Sequence, residues 1–260
     1  MTDEEWQLPE PALKPSVPAS DKRLQAHAAP SSDNQLAARL RGFGPLGILA
    51  ILLVLFPTTI AAGGLRGMPI LVPFGAIKVL VWARLSRTPW HEIGYVRPKS
   101  WIASLAIGVA FGVAFKFLMK AVVMPLLGAD PINPAYHFLA ANRAALPAAV
   151  WSMIVSGGLG EETLFRGYLF ERLGKLFGPS VGAKALIVLI TSVGFAVLHY
   201  PEQGLAGAEQ AAITGLVFGT IFAITGRLFM PMCVHAAFDL TAIAMIYWNL
   251  ETKVAHLVFR

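Results

Sequence analysis

The chain has 260 residues, of which 56% are hydrophobic and 14% charged, and its mean hydropathy is +0.62. Soluble domains carry about 25% charged residues, so this composition excludes a soluble globule and points to a polytopic membrane protein. The net charge of +6 does not mark a nucleic-acid surface, because Lys and Arg are spread between apolar runs, where they report topology.

Residues 1–43 form a separate compositional zone. Pro9, Pro11, Pro15, Pro18 and Pro30 stand among Ala, Ser and mixed charges, which is the composition of a disordered, here cytoplasmic, tail. The tail lacks the apolar core of a cleaved signal peptide, so the first span is expected to act as an uncleaved anchor.

Apolar runs follow at 44–62, 69–85, 101–119, 147–173, 183–200, 211–225 and 228–250, judged against the roughly 20 residues a helix needs to cross a bilayer. The expected fold is therefore all-α: a membrane-embedded helical bundle over 44–260 with about seven transmembrane helices. With alternating spans, Arg39 and Arg41, the Arg84 to Lys99 group, the Arg166 to Lys184 group and Arg227 share one side. The other side holds the thinner set Arg66, Lys120, Arg143, Lys253 and Arg260, which places the amino terminus in the cytoplasm.

The fourth run contains Glu161 and Glu162, and charge inside apolar sequence is costly and usually functional. Glu162 and Arg166 stand four apart, so on a helix they share a face and neutralise each other. Glu161 lacks that partner, which suits a residue that takes a proton from water and hands it on. The adjoining Gly157, Gly158 and Gly160 let another backbone come close. In the fifth run Phe195 and His199 share a helical face, with the phenyl ring walling the imidazole from lipid. His235 and Asp239 repeat that spacing in the seventh, where the carboxylate can fix the imidazole tautomer.

One histidine near a helix end is more often a satisfied interfacial group. Three polar sites in one bundle, however, are expected to converge on a water-filled cavity. At about 1.5 Å per residue, Glu161 lies roughly 16 to 21 Å from Arg172 and Lys175, His199 roughly 22 Å from Lys184 and His235 roughly 12 Å from Arg227, depths at which all three can meet. Ser156 and Ser192 show no Ser/His/Asp arrangement and read as packing residues. The single cysteine, Cys233, excludes an intrachain disulfide and reads as a small apolar residue. His27, His91, His137 and His256 fall in tail or loop sequence and read as solvated surface.

Such a group supports hydrolysis: a carboxylate deprotonates water, one histidine assists, and a second stabilises the oxyanion. Two histidines and a carboxylate are also ligands zinc accepts, which makes Glu161, His199 and His235 candidate metal ligands, although the His-Glu-x-x-His spacing of common zinc peptidases is absent. The alternative from another class is a proton-coupled transporter or a non-catalytic scaffold using the same residues; transporters commonly show two related halves, and none are visible here.

At these residues the sequence resembles the CAAX prenyl endopeptidases and the bacteriocin-processing, or CPBP, intramembrane proteases. Their pattern of Glu-Glu-x-x-x-Arg, Phe-x-x-x-His and His-x-x-x-Asn or Asp occurs here in order at Glu161, Phe195 and His235. The stretch from Glu161 to Leu173 and the loop from Ile93 to Pro98 add to the likeness, which covers about 92–249.

The resemblance implies that Glu161 activates water with His199 as partner, that His235 with Asp239 stabilises or positions the oxyanion, and that Glu162, Arg166 and Phe195 give structural support. It also implies a peptide or protein substrate, membrane-bound or lipidated; the Ala- and Arg-rich composition, the short loops and Asp239 point to a bacterial cytoplasmic membrane, and the scattered Lys and Arg to no nucleic-acid partner. Asp239 stands where prenyl-processing members have asparagine, so a prenylated substrate does not follow. The family carries both a metalloprotease label, with a divalent metal such as zinc, and a metal-independent reading. A degenerate member serving as an immunity factor is the remaining alternative.

Overall fold

A computed structural model describes residues 32–61 and 68–259, and all regular structure among them is helical. Helix α1 is Ser32–Arg41, α2 Pro45–Ala61 and α3 Met68–Leu85. Helix α4, Trp101–Leu126, passes through a π turn at Met119–Val123. Helix α5 begins as Leu146–Trp151, widens into π-type turns over Ser152–Glu161 and Thr163–Leu169, and ends as Phe170–Phe177. Then come α6, Val181–Thr225, α7, Phe229–Tyr247, and the short α8, Glu251–Ala255.

Residues 1–31 of the expected tail lie outside the described residues, but Ser32–Arg41 is a helix, which corrects the tail reading for that stretch. Asp33 in its first turn and Arg39 and Arg41 in its last complement the helix dipole. Tertiary contacts hold it: the Trp82 indole donates to Leu40 O and Arg172 donates to Arg41 O. A compositional reading of the tail carries no trace of those distant donors.

The expected runs fall on helical segments, yet only three helices among the described residues are long and apolar enough to cross on their own, or four if α1 and the first part of α2 count as one bent span. The count is of helices among the described residues, and two of the expected runs are joined in the single helix α6.

Helix α6 bends where Gly204 adopts φ 64° and ψ −163°, a conformation open to glycine. Its second arm folds back on the first, since a Cβ on Gly215 would lie 3.0 Å from Ser192 Cα and one on Gly219 3.3 Å from Val188 Cγ1. The arms are thus antiparallel, with Ser192, whose hydroxyl bonds Val188 O at 2.6 Å, serving packing as expected.

Helix α7 is central: 56% of its most apolar window is buried, against 28% for α4 and 33% for α6. It packs along α4 on one side and the π-type part of α5 on the other, and α5 packs in turn on α3. Small residues make this possible. A Cβ on Gly112 would lie 2.4 Å from Val234 O, one on Gly108 2.6 Å from Cys233 Cβ, and one on Gly158 2.9 Å from Ala236 Cβ. Outward faces are apolar, as lipid requires, with Ile102 82% and Val181 85% exposed. The molecule is an all-helical integral membrane protein.

Candidate active site

The wide turns of α5 bring Glu161, Glu162 and Arg166 inward together, all buried, at the kind of helix irregularity that recurs at functional sites. Arg166 Nη1 donates to Glu162 Oε1 at 2.8 Å, the ion pair expected from their spacing. The guanidinium also donates to Gly215 O at 3.2 Å and lies 5.1 Å from the Phe195 ring and 5.6 Å from the Phe218 ring. Those contacts tie α5 to both arms of α6.

Glu162 does more than pair with Arg166. Its Oε1 accepts from His235 Nδ1 at 2.8 Å, so the carboxylate that orients this ring comes from α5. Asp239, expected to fix the tautomer, sits instead on the other nitrogen, with Oδ2 3.4 Å from Nε2. Glu161 Oε2 approaches the same Nε2 at 3.8 Å. The glycine signal was informative here: a Cβ on Gly157 would lie 2.9 Å from Asp239 Oδ2 and 3.5 Å from His235 Nε2, so the bare backbone admits the pair from α7.

His199 belongs to the first arm of α6. Its Nδ1 is 2.8 Å from Phe195 O, and because a carbonyl only accepts, Nδ1 carries a proton and Nε2 is the ring nitrogen this bond leaves unengaged. The Phe195 ring covers one face of the imidazole at 4.3 Å between centroids, as the spacing predicted. Glu161, His199, His235 and Asp239 line one cavity of about 640 Å³.

Three residues in that lining were missed from the sequence. Lys116 of α4 is buried, and the signal was present, a lysine inside an otherwise apolar run. Its partner Gln210, at 2.9 Å, gave no such sign. Tyr136, on the segment between α4 and α5, accepts from Gln203 Nε2 at 3.2 Å. Burial first, then the carboxylates of Asp239, Glu161 and Glu202, raises its pKa. It therefore keeps its proton across ordinary pH and can donate into the cavity.

Among the described residues no three His, Cys, Asp or Glu side chains form a group able to hold a metal ion. Glu161, His199 and His235, the zinc candidates, thus do not make a ready coordination set, and the two nitrogens of His235 already face Glu162 on one side and Asp239 on the other.

Fold and site together define a membrane-embedded helical protein with a glutamate–histidine centre in a buried cavity. Residues 143–241 match the family model described as Type II CAAX prenyl endopeptidase Rce1-like, a segment that contains Glu161, Glu162, Arg166, His199, His235 and Asp239. The chain is also similar to the membrane-embedded CAAX protease MroQ of Staphylococcus aureus (strain USA300), at 21% identity over 159 residues, 60% of this chain and 63% of the relative. It thus spans less than two thirds of that relative's length. No solved structure is a significant match. The two likenesses bear out the resemblance to the CAAX endopeptidase and CPBP family, and they support an intramembrane protease kind of function.

Proposed function

We propose that the chain is an intramembrane endopeptidase that hydrolyses a peptide bond with a water activated by Glu161. The observation that carries this reading is the convergence of Glu161, His199, His235 and Asp239 on one cavity from three helices. A water held between Glu161 and His199 Nε2 gives a proton to the Glu161 carboxylate as its oxygen attacks the carbonyl carbon. With a proton on Nε2, His235 donates to the developing oxyanion, held in place by Glu162 at Nδ1 and steadied by Asp239. The proton taken from water then passes to the leaving amine. Glu162, Arg166 and Phe195 position these groups.

The mechanism runs through side chains alone. The substrate is a peptide or protein segment reaching the cavity from the bilayer, and the setting is a bacterial cytoplasmic membrane with the amino terminus in the cytoplasm.

The test is cleavage of prenylated and unprenylated peptides by purified wild type, Glu161→Gln and His199→Ala in detergent, with and without chelator. Wild type is expected to cut, and folded Glu161→Gln to lose about a hundredfold or more, as for a lost general base. Cutting that survives chelation supports water activation by side chains, whereas cutting abolished by chelator and restored by zinc would overturn it. Undiminished cutting by Glu161→Gln would end the proposed mechanism.

A further inference from the structure

Lys116 is a buried ammonium in the interior of a helix able to span the membrane, and the roles proposed above leave it unused. Among the described residues no carboxylate lies within ion-pair distance of it. Its nitrogen donates to the neutral amide of Gln210 at 2.9 Å and stands 4.6 Å from the centre of the Phe238 ring. Of the carboxylates around it, Glu161 and Asp239 lie against His235, Glu251 pairs with Lys120, and Asp130 lines the adjoining cavity. A cation at that depth is expensive, and such residues mark the path of a charged ligand.

The neighbours sharpen the chemistry. Because Gln210 turns its carbonyl oxygen to Lys116, its amide nitrogen remains a donor. Asn133 is arranged alike: its Oδ1 accepts from Ala135 N at 3.1 Å, leaving its amide nitrogen as donor. Lys116, Gln210 and Asn133 all line both the 640 Å³ cavity and an adjoining cavity of about 220 Å³. An ammonium and two amide donors thus surround the junction of the two cavities.

The register of α4 on α7 fixes where this junction lies relative to the reaction centre. Gly112 packs against Val234 O and Phe238 N, so Lys116, one turn later, sits about one turn, or roughly 5 Å, along α7 from His235. A short extended peptide spans that distance.

From this geometry we infer that Lys116, with Gln210 and Asn133, binds a carboxylate of the peptide whose backbone lies at His235. The anion is either the terminal carboxylate or an acidic side chain, and the assignment of the ligand as a peptide rests on the endopeptidase reading.

Binding to Glu161→Gln, measured without turnover, separates this inference from that reading. The probes are an acetylated Ala/Leu pentapeptide as free acid, the same peptide as amide, and an amide with one internal glutamate. The free acid is expected to bind about tenfold or more tighter than the plain amide, as for a charge-assisted hydrogen bond in a buried site. The glutamate-bearing amide binding as tightly as the free acid would make a side chain the source of the anion, and its binding like the plain amide would make the terminus the source.

Adding Lys116→Met should remove the preference while leaving affinity for the plain amide unchanged, which also shows that the variant is folded; Lys116→Arg should retain it. Equal binding of acid and amide, no binding of any probe, or a preference that survives Lys116→Met would overturn the inference. A Lys116-dependent preference in a protein whose wild type cuts nothing would leave the carboxylate site standing and remove the protease.

Discussion

The two nitrogens of His235 face different worlds. On the Nδ1 side Glu162 is wholly buried and holds both the ring and Arg166 at 2.8 Å. On the Nε2 side Asp239 and Glu161 stand back at 3.4 and 3.8 Å, around a cavity. Adjacent glutamates in the sequence therefore stand in opposite settings: Glu162 closes the structure, and Glu161 faces the cavity. Short, enclosed contacts fix geometry, while longer contacts beside a cavity leave room for a substrate and a moving proton.

The sharpest way to break this contrast is to neutralise each glutamate in turn. Glu162→Ala strands the Arg166 guanidinium without its carboxylate, and breaking a buried pair costs about 3–5 kcal/mol. Thermal unfolding in detergent should show a large fall in the midpoint, with cutting lost alongside. Glu161→Gln should instead keep the wild-type midpoint while losing cutting. If the two variants unfold alike, the division between a structural and a reactive glutamate is wrong.

Gly157→Ala probes the open side without removing a charged group. The added Cβ meets the tip of the Asp239 side chain at 2.9 Å, a group free to swing, so stability should change little. Displacing it disturbs the Nε2 side, and misplacement on the order of 1 Å can cost about a hundredfold in rate. The expected result is kcat down by about ten- to a hundredfold at an unaltered unfolding midpoint. A fall in midpoint with kcat intact would mean that the glycine serves packing alone.

What the sequence revealed and what it hid follow one rule. Relations within a helix were legible: Glu162 with Arg166 and Phe195 with His199 both met as the four-residue spacing required. The glycines beside the acidic pair correctly announced a close neighbour. Relations between helices were not legible. The spacing of His235 and Asp239 suggested a local partner, yet the oriented nitrogen took Glu162 from another helix, 73 positions away. Lys116 and the Gly108 and Gly112 pair carried signals of their own, a charge and two small residues four apart in an apolar run. Nothing local said that both would meet α7. The residues at Ser32–Arg41 formed a helix because α3 and α5 supply Trp82 and Arg172 to its end.

The smallest expected effect is that of Asp239→Asn, and it tests how passive the open side is. Asp239 is not enclosed, its side chain being 23% exposed, and it meets His235 at the long distance of 3.4 Å. An asparagine of the same shape keeps an oxygen that can accept from Nε2 and adds a donor. Only the charge is lost, so one modest hydrogen bond is exchanged for another, worth about 0.5–1.5 kcal/mol. Cutting should stay within about tenfold of wild type, with no change in unfolding midpoint. A loss as deep as that of Glu161→Gln would show that the Asp239 carboxylate itself carries the proton, and the base would then have to be reassigned from α5 to α7.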